Sequence, residues 1–109
     1  MAETFKNVVA DLGTTATTAV YTCPSATTAI VIHCQVANVD GTNDADLSMA
    51  LFDNSATADA AIVSTLLVPA DGAVNPIGGK LVLEASDQLR ASANATGDLE
   101  ITIGVLEIT

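Results

Sequence analysis

The sequence contains very few aromatic residues for its length of 109 residues. Aromatic side chains make up 3% of the chain, namely Phe5, Tyr21 and Phe52, and tryptophan is absent. Since 50% of the residues are nonetheless hydrophobic, a core must be built from Val, Ile, Leu and Ala. Alanine buries little apolar surface, so we expect an isolated copy to be only marginally stable and assembly with further copies to stabilise it.

Basic residues are equally scarce. Lys6, Lys80 and Arg90 stand against 13 Asp and Glu residues, which gives a net charge of −10. Nucleic-acid backbones and anionic lipid surfaces are bound through clustered basic side chains, so we predict no direct contact with nucleic acid or with membranes. A basic region followed by an apolar run, as in secretory signals, is missing at the N-terminus, and no segment approaches about 18 apolar residues. These features predict synthesis and folding in the cytoplasm.

Residues suited to catalysis or to ligand binding are sparse. His33 is the single histidine, and it lies between Ile32 and Cys34 in an apolar segment. Adjacent residues of a strand point to opposite faces, so His33 and Cys34 should not form a catalytic dyad. One histidine together with Cys23 and Cys34 matches no zinc-ligand spacing. We therefore predict no enzymatic activity, no cofactor and no metal site.

Two questions stay open at this level. Cys23 and Cys34 lie on neighbouring predicted strands, so a disulfide is geometrically possible, although two buried free thiols suit a reducing compartment better. The loop Asp40–Asp46 carries clustered oxygen ligands that could bind calcium. Because this loop lacks the EF-hand order and its distal glutamate, a plain hairpin loop is the alternative.

Turn signals recur about every 8–12 residues, and hydrophobic residues between them alternate with a period of two. We therefore predict one domain over residues 1–109: an all-β, single antiparallel β-sandwich, jelly-roll-like, with about eight strands. The Ala-rich segment Ala56–Leu67 is compatible with a helix, but its alternation and β-branched residues favour a strand. The predicted strands are Phe5–Leu12, Thr17–Cys23, Ala29–Asn38, Asp46–Asp53, Ala61–Val68, a short edge strand at Ala73–Ile77 and three strands within Gly79–Thr109. Residues 1–12 form an N-terminal strand or arm that is a candidate for contacts with partner subunits.

Several strands are partly apolar on both faces, among them the third and the last. In the third strand we expect Ile30, Ile32, Cys34 and Val36 to share the core face, with Val31 on the opposite face. In the last strand the apolar positions change phase near Gly104, from odd positions up to Val105 to the even positions Leu106 and Ile108. Either a bulge at Gly104 turns Leu106 and Ile108 inward, or both residues lie on a surface that a neighbouring subunit covers.

Four segments together resemble small β-sandwich virion structural proteins of tailed bacteriophages, over about Ala19–Thr109. In that pattern a Tyr-Thr-x-Pro segment precedes a hydrophobic strand that ends in Asn, and a Leu-x-Leu-x-x-x-Asp turn precedes the closing strands. Ser86 departs from the pattern, because glycine is common immediately before the aspartate that corresponds to Asp87. The segments are Ala19–Pro24, Thr28–Ile32, Val36–Asn38 and Lys80–Leu89.

The resemblance implies a capsid decoration, or cement, protein that binds the outer surface of a major capsid protein shell and stabilises it. In that role the chain would be made in the host cytoplasm and act as a homo-oligomer, with a trimer favoured. We expect Phe5 and Lys6 to anchor the contact, since an exposed Phe beside a rare Lys is a plausible anchor on an acidic domain. Leu106 and Ile108 complete the predicted interface. The alternative is a tail- or fibre-associated receptor- or glycan-binding module, which the scarcity of aromatic platforms disfavours.

Overall fold

The computed structural model describes residues 2–109, and its regular structure consists of nine β-strands. The strands are β1 (Glu3–Asp11), β2 (Thr18–Thr22), β3 (Thr28–Asn38), β4 (Ala45–Asp53), β5 (Ala58–Val68), β6 (Ala73–Val74), β7 (Leu81–Leu83), β8 (Gln88–Ala93) and β9 (Leu99–Ile108). Over this described range the structure has no helix of the length and apolarity needed to cross a membrane.

The strands form two antiparallel sheets that pack face to face. The first sheet has the order β1-β9-β3-β6, and β7 also pairs with β3; the second sheet has the order β2-β8-β4-β5. Successive strands repeatedly cross from one sheet to the other, which is how a jelly roll is wound. With β6 and β7 counted as one interrupted edge strand, the sandwich has eight strands. The predicted fold class is therefore confirmed.

The core between the sheets is almost entirely aliphatic. Alternating residues of each strand point inward, because successive side chains of a strand face opposite sides of its sheet. Tyr21 is the one aromatic residue among the buried core residues. The largest fully buried side chains are Leu12, Leu47, Met49, Leu83, Leu89, Leu99, Ile101, Ile103, Val31, Val36, Val68 and Val105.

A bulge in β3 changes which of its residues face the core. The register between β3 and β9 shifts between Val31 and His33, opposite Gly104. Val31 and Cys34 are consequently both buried, whereas Ile32 is 42% exposed. The predicted face assignment of β3 was thus wrong for Val31, Ile30 and Ile32. Gly104 lies opposite the bulge, and a Cβ added there would make an ordinary van der Waals contact with the His33 Cβ at 3.6 Å.

The last strand keeps its period of two throughout. Val105 and Glu107 point inward, and Leu106 and Ile108 point outward and are half-buried. The apolar positions change phase near Gly104 because the inward position 107 holds Glu107, while the outward positions hold the apolar Leu106 and Ile108. The side-chain directions themselves do not change phase. A bulge that turns Leu106 and Ile108 inward is wrong for β9; the bulge lies in its neighbour β3.

The Ala-rich segment forms the edge strand β5, as the alternation predicted. Most of its residues are exposed, and its register with β4 shifts between Leu47 and Met49 and again between Met49 and Ala50. Thr65 has a positive φ of 50°. Tertiary pairing therefore overrides the helical propensity of alanine here.

Two buried polar side chains, those of Asn38 and Asp87, stabilise loops of the sandwich. Both residues belong to the segments that resemble virion proteins. Asn38 is 2% exposed, and its Nδ2 donates to the carbonyls of Asn43 at 2.9 Å and Val68 at 3.0 Å. Asp87 is 4% exposed, and its carboxylate accepts hydrogen bonds from the backbone N–H groups of Asn54 and Glu84. Buried polar groups with their partners in place fix the loops that they contact.

Ser86 has a φ of 70°, in the left-handed region that favours glycine. We therefore expect Ser86→Gly to raise the free energy of unfolding by up to about 1 kcal/mol, because glycine adopts this conformation without a Cβ penalty. Urea unfolding of the two proteins measures the difference. Ser92→Gly, within β8, is the control and should lower stability by about 0.5–1 kcal/mol. A less stable Ser86→Gly protein would contradict the expectation.

Candidate interaction surface

The outer face of the first sheet carries a cross-strand row of apolar side chains. Phe5 of β1 lies opposite Leu106 of β9, Leu106 lies opposite Ile30 of β3, and Ile30 lies opposite Val82 of β7. Directly opposed residues of antiparallel strands project from the same face. We call these four residues the apolar row. Phe5 is 73% exposed and Val82 is 55% exposed, while Leu106 and Ile30 are half-buried.

The character of this face changes along the strands. Ile108 lies next to the apolar row, opposite Glu3 on β1. In the other direction lies the exposed His33 opposite Gly104, and the last cross-strand pair is Asp11 with Glu100. The face is therefore apolar near the C-terminal end of β9 and acidic near its start.

The structure brings three of the four predicted interface residues together. Phe5, Leu106 and Ile108 share the outer face of the first sheet, whereas Lys6 points to the opposite face because it is the next residue of β1. Ile30, which we expected in the core, also lies on this face. Val82 lies on this face as well, and its place between Leu81 and Leu83 in a strand with a period of two indicates an outward side chain.

Lys6 belongs to a polar cluster at the open edge between the sheets. Its Nζ lies 3.0 Å from Oε1 of Glu107, and the Tyr21 hydroxyl donates to Oε2 of Glu107 over 2.6 Å. Tyr21 and Glu107 are buried, at 9% and 6% exposed. The cluster therefore links β2 of the second sheet to β9 and β1 of the first.

The environment of this cluster shifts two acid–base equilibria in opposite directions. The hydrogen bond from Tyr21, followed by the one from Lys6, holds the pKa of Glu107 below its usual range. Burial, together with the hydrogen bond to the Glu107 carboxylate, raises the pKa of Tyr21 well above its usual value. Both shifts favour the pair as found at neutral pH, a charged carboxylate that accepts from a neutral phenol.

The outer face of the second sheet has a different character. The Arg90 guanidinium lies 3.8 Å from the centre of the Phe52 ring, and its Nε donates to Oε1 of Gln88 over 2.7 Å. Asp59 lies 3.4 Å from the Nη1 of Arg90. The charge of Arg90 is therefore engaged within the chain.

The cysteines and the histidine do not assemble into a site. Cys23 and Cys34 are both free and buried, as favoured from the sequence. The Cys23 thiol donates to the carbonyl of Thr27 over 3.3 Å, and burial raises the pKa of Cys34 to about 11. His33 is exposed on the outer face, on the side of β3 opposite to Cys34.

Two groups of acidic residues stabilise turns near them. In the loop Asp40–Asp46, the Asp40 carboxylate accepts from the backbone N–H groups of Thr42 and Asn43, and these bonds lower its pKa. Carboxylate oxygens of Asp53, Glu84 and Asp87 lie within 4.8 Å of one another, but both Asp87 oxygens already accept backbone hydrogen bonds. The carboxylates of Asp40 and Asp87 therefore stabilise the turns around them by accepting backbone hydrogen bonds.

Solved structures with a similar fold come from several kinds of protein. One belongs to the capsid structure of the Helicobacter pylori bacteriophage KHP30; the TM-score is 0.58 at 10% identity, with 100% of this chain and 89% of that chain covered. Another belongs to Bacillus endospore appendages, described as disulfide-linked pili, with a TM-score of 0.56, 13% identity and coverage of 98% and 88%. A third is the Drosophila NLP core, with a TM-score of 0.54, 14% identity and coverage of 99% and 98%. At these identities the likeness shows a shared fold.

No protein-family model matches the sequence, and no curated protein matches it.

Proposed function

We propose that this protein is a virion structural protein: a capsid decoration protein that binds the outer surface of a phage major capsid protein shell and stabilises it. The observation that carries the proposal is the apolar row on the outer face of the first sheet. An apolar stripe with two strongly exposed ends, on a chain with a net charge of −10, is the kind of surface that a protein partner covers.

The fold neighbours support a role in an assembly of many copies. They come from a bacteriophage capsid, from pili and from a protein that forms a pentamer. The aliphatic core is consistent with this role, because contacts repeated by symmetry can stabilise a small domain. The oligomer expected for the role that the resemblance implies is a trimer, and this number stays a prediction. We also propose that the protein acts without catalysis, since His33 and Cys34 face opposite sides of β3.

The copy number of the protein in purified virions tests the location. Quantitative mass spectrometry should give hundreds of copies per particle, in a fixed ratio to the major capsid protein, and cryo-electron microscopy should place them on the outer surface. A dozen copies or fewer would overturn decoration and favour the tail- or fibre-associated receptor-binding module.

The contact with the shell is tested by Val82→Asp. Val82 ends the apolar row and is 55% exposed, so the substitution should fold normally yet place a charge in the interface. We expect occupancy on shells that lack the protein to fall at least tenfold, because burying an unpaired carboxylate costs more than about 1.4 kcal/mol. The matched control is Leu67→Asp, at a residue that is 52% exposed on β5 of the second sheet.

Equal occupancy of the two aspartate variants would contradict docking through the apolar row. The predicted contributions of Phe5 and Lys6 are tested in the same assay with the double alanine variant, which should also bind more weakly. Lys6 faces Glu107 and not the outer surface, so Lys6→Ala alone should act mainly through stability.

A further inference from the structure

The free edge of β1 presents backbone groups that no other described strand pairs, although at its end the Asp11 carbonyl accepts from the Gly13 N–H over 2.8 Å. Among the described strands only β9 pairs with β1. Ala2 and Thr109 exchange two backbone hydrogen bonds, and the Leu12 N–H donates to the carbonyl of Leu99. Even-numbered residues of β1 therefore direct their N–H and C=O groups toward β9, because these directions alternate along an antiparallel strand. The odd-numbered residues from Glu3 to Asp11 direct theirs to the free edge.

The other sheet edges are interrupted in ways that hinder pairing. β5 carries two register shifts, β2 carries one within five residues, and β6 and β7 have two and three residues. β1 pairs with β9 in one unbroken register over all nine residues. Short or bulged edges resist the addition of strands, whereas a long regular edge favours it. β1 is thus the edge of this sandwich that is open to a further strand.

We infer that β1 pairs antiparallel with β1 of a second copy across a two-fold axis at Phe5. In this register the backbone of Phe5 faces that of its symmetry mate, and Glu3 faces Asn7 of the second copy. The three facing pairs supply about six main-chain hydrogen bonds, two for each pair. The inference concerns the purified chain alone and does not depend on the proposed place in a virion.

Charge disfavours the two neighbouring registers whose axes lie at Lys6 and Asn7. A two-fold axis at Lys6 would place two lysines directly opposite each other, and an axis at Asn7 would place Glu3 opposite Asp11 twice. Like charges in directly opposed positions destabilise a strand pair. With the axis at Phe5, Glu3 faces a neutral amide and Lys6 faces the hydroxyl of Thr4. Lys6 also keeps Glu107 as its counter-ion, at 3.0 Å.

The apolar row becomes continuous across this contact. Phe5 ends the row at the edge of the first sheet and is 73% exposed. With the axis at Phe5, the two rings lie opposite each other, and each is flanked by Leu106 of its own chain. Aromatic pairs at directly opposed positions stabilise neighbouring strands. A second copy is therefore the occupant that extends both the backbone pairing and the apolar row.

Phe5→Lys and Val9→Lys form the matched test, because the two residues are 73% and 75% exposed on the same face of β1. Phe5→Lys sets two lysines opposite each other, whereas Val9 lies beyond the paired span Glu3–Asn7. We expect the mass measured by sedimentation over a concentration series to be halved by Phe5→Lys and unchanged by Val9→Lys. If the protein is a trimer through another surface, the same halving applies, because this contact then joins two trimers.

Asn7→Pro provides an independent test that keeps Phe5. It removes an N–H group that faces the free edge and leaves the bonds to β9 in place, which an edge strand tolerates. We expect it to halve the mass as well, with an unchanged circular dichroism spectrum. The inference is overturned if Phe5→Lys and Asn7→Pro keep the wild-type mass, or if Val9→Lys halves it. A wild-type mass equal to that of the folded Phe5→Lys protein would also overturn it.

Discussion

Leu89→Ala is expected to lower the free energy of unfolding by about 2–5 kcal/mol. Leu89 is fully buried at the centre of the second sheet, where β8 pairs with β2 on one side and with β4 on the other. Its removal leaves a cavity that neighbouring β-strands cannot close, because both sides are held by backbone pairing. The cross-strand neighbours Tyr21 and Leu51 are held in register with Leu89 by the same backbone pairing, so they cannot move far enough to fill the space.

Urea unfolding measures this loss, and Leu67→Ala is the control. Leu67 is 52% exposed on β5, so its truncation should change stability by less than about 0.5 kcal/mol. If the two alanine variants were equally stable, the interior of the second sheet would not be the folding core described above. The same unfolding measurements test the expectation that an aliphatic domain of this size has a low free energy of unfolding.

Glu107→Gln is expected to lower the free energy of unfolding by about 1–3 kcal/mol at neutral pH. The substitution replaces a carboxylate that accepts from the Tyr21 hydroxyl over 2.6 Å and pairs with Lys6 at 3.0 Å. Hydrogen bonds to a charged acceptor are the stronger kind, and the Tyr21 hydroxyl is buried away from water. Tyr21→Phe should remove much of the same stabilisation, so the double variant should cost less than the sum of the single ones.

The difference in unfolding free energy between wild type and Glu107→Gln has a defined pH dependence. The pKa of Glu107 is lower in the folded chain than in the unfolded chain, so its contribution is complete above the unfolded value of about 4.3. It is lost as the pH falls through the lower, folded pKa, because the folded state then has to take up the proton. The stability difference between wild type and Glu107→Gln should therefore shrink on acidification from about pH 6 to about pH 3.

Other carboxylates with lowered pKa values, such as Asp40 and Asp53, are present in both proteins, so they cancel in the difference. For Tyr21 the pH dependence of the stabilising contribution has the opposite sign, and it appears at alkaline pH. Its pKa is raised on folding, so its contribution is present below the unfolded value of about 10 and is lost as the pH rises above it. A stability difference that stayed constant across the acidic range would show that Glu107 does not act through its charge.

Much of the fold followed from the sequence because the hydrophobic period is local. The alternation in Leu99–Val105 predicts a strand with odd positions inward, and the structure has that arrangement in β9. The assignment failed at β3, where Val31 and Cys34 both face the core. A single extra residue at Ile32 reverses the alternation, and its position belongs to the pairing of β3 with β9, which no local pattern reports.

The candidate surface was predicted in part for the same reason. Phe5, Leu106 and Ile108 stand out in the sequence as apolar residues at unexpected positions, and they share one face. Lys6 stands out equally through its rare charge, but its neighbours along the chain do not reveal Glu107, which is 101 positions away. Ion pairs between strands depend on register and on which strands become neighbours, and neither is encoded within one segment.

By itself the sequence determined an acidic all-β domain with an aliphatic core and with turns at regular intervals, because charge, residue type and hydrophobic period are properties of the chain. Only the tertiary structure decided that Phe5, Leu106, Ile30 and Val82 form one row and that β1 is the long regular edge. Both results come from the order of strands within the first sheet. Strand order arises from contacts between residues far apart in the sequence, and a period of two is the same whichever strand lies alongside.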